Sequence, residues 1–131
     1  MKRQEAREQA FLVMFEKGFF KDATISEIVA DAQEAELIKI NNFANVLLTA
    51  IENNMSVIDE VICENSRNWK FERLPKVTIA ALRLAIGEMM FIEDVPSSVS
   101  VNEAVELVKK YGTKEDASYV NGVLGSVSKS L

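Results

Sequence analysis

The chain has 131 residues, 48% apolar and 27% charged, with only 2 Pro and 5 Gly; this excludes a disordered chain and argues against a turn-rich sandwich or barrel. It has no His and a single Cys, which removes His-based acid–base pairs, His metal sites, an internal disulfide and a zinc cluster of cysteines. The formal net charge is −5, the wrong overall sign for a nucleic-acid binder, but it is unevenly spread: residues 19–66 hold nine acidic and two basic side chains, residues 67–83 five basic and one acidic.

The elements read as helix throughout. Ala6, Ala10, Val13 and Met14 form the stripe of a first helix, with Phe11 and Phe15 beside it, ending at Gly18. Thr24 and Glu27 make a capping box that opens a second helix to about Glu36. A third is expected from Leu37 to Asn53, with Phe43, Val46, Leu47 and Ala50 on one apolar face. Asn53 and Asn54 stop and restart the chain, and Val57, Ile58, Val61 and Ile62 mark a short fourth helix. Residues 65–72, with Trp69 and Phe71, are the least patterned stretch and mark the expected joint, about 67–75, between two lobes, about 1–66 and about 76–131.

Pro75 suits the first turn of a fifth helix. From Val77 to Ile92 that helix is apolar on nearly every side, the mark of a buried central helix. Arg83 within it is expected to be partly buried and paired. Pro96 breaks the chain again; Val101, Ala104, Val105 and Val108 belong to a sixth helix that stops at Gly112, with Lys109 and Lys110 complementing its C-terminus. Thr113 and Asp116 cap a seventh with the stripe Val120, Val123, Leu124 and Val127. No alternating strand pattern or internal repeat occurs.

Catalytic motifs are absent: there is no phosphate-binding glycine loop, dinucleotide fingerprint or nucleophile elbow. Asp59 and Glu60 are adjacent and point to different helix faces, and Glu103 with Glu106 reads as a solvated face. No enzyme activity, cofactor or metal is expected. No stretch is long and apolar enough to span a membrane, the start does not read as a signal peptide, and one unpaired Cys63 fits a reducing cytoplasm. More informative are Asn102 and Glu103, placed at the start of the sixth helix, and Asn121 with Gly122, two poor helix formers inside the seventh. For these, a helix-start hydrogen-bond network and a close helix crossing are the structural alternatives. Tyr111 and Tyr119 flank the last turn; an aromatic beside basic groups can stack an unpaired RNA base, and it can equally be packing.

Three ordered stretches resemble the NusB family of bacterial transcription antitermination factors: Lys2, Arg3, Ala6 and Arg7 with the apolar run to Phe15; Trp69, Arg73, Leu74 and Pro75 leading to Arg83 and Glu88; and Val95 and Pro96 followed by residues 102–107, Tyr111, Gly112 and residues 119–124. The resemblance implies an all-helical fold of two small bundles joined at a basic loop. It also implies binding of the boxA element of nascent ribosomal RNA together with NusE, a small-subunit ribosomal protein, within a complex of RNA polymerase and other Nus factors that resists termination. On that resemblance Lys2, Arg3 and Arg7 are phosphate-contact candidates, and Tyr119 takes the place of a family aromatic near the RNA. Arg67, Lys70, Arg73 and Lys76 are expected to add contacts where the joint folds back on the first helix. Arg83, Glu88, Asn102, Glu103, Gly112, Asn121 and Gly122 complete the motifs. The sequence departs from the family twice: Gln4 and Glu5 interrupt the basic start, and Gly87 stands where a bulky aromatic is usual. A related domain begins some ribosomal-RNA cytosine methyltransferases, but 131 residues leave no room for their cofactor domain. The other reading is a helical protein–protein adapter, working through its acidic surface, that has lost RNA contact.

Overall fold

The computed structural model describes residues 2–66 and 70–131; Arg67 and Trp69 of the expected joint lie outside the described residues. The described residues form seven α-helices and one short 3-10 turn, with no strand among them. They are α1 (Arg3–Phe19), α2 (Ile25–Glu34), α3 (Asn42–Asn53), α4 (Met55–Asn65), α5 (Lys76–Phe91), α6 (Ser97–Tyr111) and α7 (Lys114–Ser130), with the turn at Phe71–Arg73.

α5 is the hub. It packs against α1, α3, α4, α6 and α7, and most of its length, from Ala80 to Glu88, is buried, with the Arg83 side chain 12% exposed. An apolar surface on every side permits this, since each neighbour finds a dry face to cover. Gly87 makes the closest approach possible: a Cβ there would lie 2.5 Å from Ile51 Cγ1. The absence of a bulky residue at 87 thus admits Ile51 from α3, with Ile58 from α4 next to it. α1 and α7 pack on α5 and also on α6, without extensive contact with each other.

The capping boxes form as the sequence predicts: Glu27 N–H donates to Thr24 Oγ1 at 3.0 Å and Asp116 N–H to Thr113 Oγ1 at 3.0 Å. The third helix differs from expectation. It starts at Asn42 because Asn41 caps it, its Oδ1 accepting from Phe43 N–H at 2.8 Å. Gln9 of α1 holds the preceding loop from both sides, donating to the Lys39 carbonyl and accepting from Asn41 N–H. Its buried face is Ala44, Leu47, Leu48 and Ile51, whereas Val46 is exposed. The sixth helix starts earlier than its apolar stripe suggests, at Ser97 directly after Pro96.

Candidate nucleic-acid interface

The start of α1 carries Lys2 and Arg3, both exposed. The Arg3 guanidinium lies 4.2 Å over the Phe43 ring of α3, which holds the side chain while leaving its charge at the surface. Glu5 accepts from Lys2 N–H at 3.4 Å, tying one carboxylate to the helix start. Arg7 does not join this exposed group. It is 5% exposed, and its Nε donates to both carboxylate oxygens of Glu88, at 2.8 and 3.1 Å, while Ser100 Oγ donates to Glu88 at 2.6 Å. One turn into α1 the chain runs onto the core, so the guanidinium is spent on joining α1, α5 and α6. As a phosphate contact, Arg7 is corrected to a buried structural ion pair.

A second cluster gathers where α6 ends. Lys110 Nζ lies 2.5 Å from Glu8 Oε2 of α1, and the Tyr111 hydroxyl donates to the same oxygen. The Tyr111 ring stacks on Phe11, centroids 5.4 Å apart. The Lys110 ammonium, followed by the Tyr111 hydroxyl, holds the Glu8 carboxyl below its ordinary range; Glu8 in turn pushes Lys110 and Tyr111 upward. Lys109 and Lys114 are exposed on either side of the turn. Gly112 keeps this turn tight: a Cβ would sit 3.0 Å from Asp116 Oδ2 and 3.2 Å from the Val108 carbonyl and from Val77, crowding all three.

Glu8 is six residues along α1 from Lys2, or about 9 Å at the helical rise. The basic helix start and the α6–α7 turn therefore lie toward the same, N-terminal end of α1, Arg3 on its α3 side and Glu8 on its α6 side, and Lys2, Arg3, Lys109, Lys110, Lys114 and the part-exposed Tyr111 ring make up one candidate strip round that end. Lys109, Lys110 and Lys114 were missed as binding candidates because Lys109 and Lys110 also suit a helix C-terminus. Three lysines within six residues around an aromatic was the available signal.

Tyr119 lies elsewhere. It is half-buried, its hydroxyl bonded to Ser66 Oγ at the end of α4, and it lines a shallow groove of about 620 Å³ with Asn65, Asn121 and Gly122. Gly122 has nothing within 4 Å of its Cβ position, so no internal helix crossing accounts for it; Asn121 is exposed. Asn102, exposed, and Glu103, half-buried, sit in the second turn of α6, past its start, so a helix-start network does not describe them. Arg83 makes a two-pronged pair with Asp59, both contacts 2.9 Å.

Arg73 and Lys76 stand at the far end of α1. The Lys76 stem lies beside Gly18, its Cγ 3.4 Å from where a Cβ on that glycine would stand, and its Nζ lies 5.2 Å over the Phe19 ring. Gly18 is sixteen residues from Lys2, about 24 Å along the helix. The described part of the joint lies against the C-terminal end of α1, and Arg73 and Lys76 do not merge with Lys2 and Arg3.

The NusB family model matches residues 4–129. The transcription antitermination protein NusB of Natranaerobius thermophilus is 40% identical, covering 100% of this chain and 97% of its own length. Among solved structures, NusB from T. maritima superposes with a TM-score of 0.87 at 30% identity, covering 98% of this chain and 92% of that one. A crystal structure of the antitermination factors NusB and NusE in complex with double-stranded RNA gives 0.84 at 28% identity, with both chains covered in full. Among the described residues no helix is long and apolar enough to cross a membrane.

Proposed function

The chain belongs to the NusB family, and on that premise we propose that it is a bacterial transcription antitermination factor that binds boxA RNA together with NusE. In this reading it is a non-enzymatic, cytoplasmic RNA-binding protein of two lobes, acting in a complex with RNA polymerase and other Nus factors. The observation that carries the RNA part is the meeting of α1 and α6 at Glu8. It sets exposed cations from two ends of the sequence beside an aromatic ring, the combination that suits single-stranded RNA.

The same observation predicts weak binding by the chain alone. Glu8 already engages Lys110, Arg7 is withdrawn into the core and Glu5 lies between the clusters. A basic partner such as NusE would supply the missing charge, and the acidic surface would speed its arrival. The test is titration of a boxA RNA and a scrambled control, with and without NusE. Sequence-selective binding that NusE tightens is expected; equal affinity for both RNAs in the presence of NusE would refute the reading and favour the adapter, which the engagement of Lys110 and Arg7 by carboxylates also supports.

A further inference from the structure

Several large apolar side chains stand in water, among them Phe20, 56% exposed, and Leu37, 77% exposed. These two meet at one groove of about 270 Å³ between the end of α1 and α2, with Ala23, Ile28 and Ala32 in it and Glu16 and Asp31 at its edges. Backbone geometry holds Leu37 there. α2 closes in a two-bond turn, Glu36 N–H donating to the Gln33 carbonyl at 3.0 Å and Leu37 N–H to the Ala32 carbonyl at 2.9 Å. Glu36 has φ 59, the left-handed conformation that glycine normally supplies at this place. In such turns the residue after the left-handed one usually folds its apolar side chain back on the helix. Among the described residues Leu37 instead remains the most exposed large apolar side chain, so a strained turn presents it to solvent beside Phe20.

Charge says what fits. Glu27, Asp31, Glu34 and Glu36 lie on α2 and its closing turn, Glu16 lines the groove from the end of α1, and exposed Asp22 lies in the loop between the two helices. Lys17 is turned inward onto the Lys21 and Ala23 carbonyls, and Lys21 is the one exposed cation between Phe19 and Ile38. A second copy of the chain would bring the same acidic rim against itself, and an anionic lipid or nucleic-acid surface would be repelled.

We propose that the groove between α1 and α2 docks a basic polypeptide segment bearing large apolar side chains, which pack on Phe20 and Leu37 while its cations meet Glu16 and Asp31 at the edges. This surface is at the opposite end of α1 from Lys2 and Arg3, and the proposal does not depend on RNA binding.

The test uses the full chain and a synthetic amphipathic helix of lysines and leucines, with matched peptides in which glutamate replaces lysine or serine replaces leucine. Leu37→Ser and Asp31→Lys, both at exposed positions, should each weaken binding of the lysine–leucine peptide about tenfold or more, with an unchanged far-UV spectrum and unchanged RNA binding. The two control peptides should bind far more weakly. Unaltered binding to either variant, or equal binding of the serine peptide, overturns the proposal. So does comparable binding to phosphatidylglycerol vesicles, or self-association of the chain that Leu37→Ser abolishes.

Discussion

Replacing Arg7 with alanine is expected to lower the stability of the fold by about 3–5 kcal/mol. Arg7 and Glu88 are 5% and 2% exposed, and the arginine Nε reaches both carboxylate oxygens. Removing it leaves a buried carboxylate with the Ser100 hydroxyl as its remaining side-chain partner, and an uncompensated buried charge is far more expensive than an exposed one. At roughly 3 °C per kcal/mol for a domain of this size, the melting temperature falls by about 10–15 °C. Arg7→Lys keeps the charge but loses the Nε–H shared between the two carboxylate oxygens, so it should fall between parent and alanine variant. Changing both partners together, Arg7→Met with Glu88→Leu, removes the buried charge and should recover most of the loss. Urea unfolding gives the result directly, as a lower midpoint at unchanged slope. An alanine variant within about 1 kcal/mol of the parent, the range of exposed pairs, would refute the buried-pair argument and return Arg7 to the surface as a phosphate contact.

Arg83→Ala breaks a half-buried pair with Asp59 and should destabilise by about 1.5–3 kcal/mol, less than Arg7→Ala in the same urea series; a loss equal to that of Arg7→Ala would contradict the exposure of this pair. Gly122→Ala should stabilise by up to about 1 kcal/mol through helix propensity, since its Cβ position is open; a lower melting temperature would show that the space is occupied. Tyr111→Ala should weaken RNA binding by about 1–3 kcal/mol for one stacked base while Tyr111→Phe stays close to the parent, and equal losses in the two would show that the hydroxyl, not the ring, matters. Because the Glu8 carboxyl is held below its ordinary range by Lys110 and Tyr111, the stability it contributes is full above about pH 4.3, the ordinary glutamate value, and is lost as pH falls through the lowered one. The difference between parent and Glu8→Gln should therefore shrink over that acid window, and a constant difference down to the lowest pH would contradict the pairing.

What the sequence makes legible is local. Thr24 with Glu27 and Thr113 with Asp116 announce two helix starts because each cap needs residues only three apart. The all-round apolar run ending near Ile92 identifies α5 as central because no other packing would dry every face. The buried face of α3 was less legible: Phe43, Val46, Leu47 and Ala50 are as good a stripe as Ala44, Leu47, Leu48 and Ile51, and Gly87 on a distant helix decides between them by admitting Ile51. The same holds for the candidate site. Lys2 and Arg3 stand out as a basic helix start, but the partner that removes Arg7 from the surface is 81 residues away. The carboxylate that gathers Lys110 and Tyr111 is likewise more than a hundred residues from them, and no periodicity records pairings at that separation.

The most direct test of the RNA strip is the salt dependence of boxA binding in the presence of NusE, compared between the parent and the triple variant Lys109→Gln, Lys110→Gln, Lys114→Gln. Each phosphate contact on a single strand contributes a slope of about −0.7. If these lysines border the strip with Lys2 and Arg3, the triple variant should flatten the slope by about 1 to 2 units, the upper end requiring Lys110 to leave Glu8 for a phosphate, while Arg73→Gln with Lys76→Gln, at the other end of α1, leaves it unchanged. A triple variant with the parent slope, or a flattening produced by Arg73→Gln with Lys76→Gln instead, would contradict the account and place the RNA at the opposite end of α1.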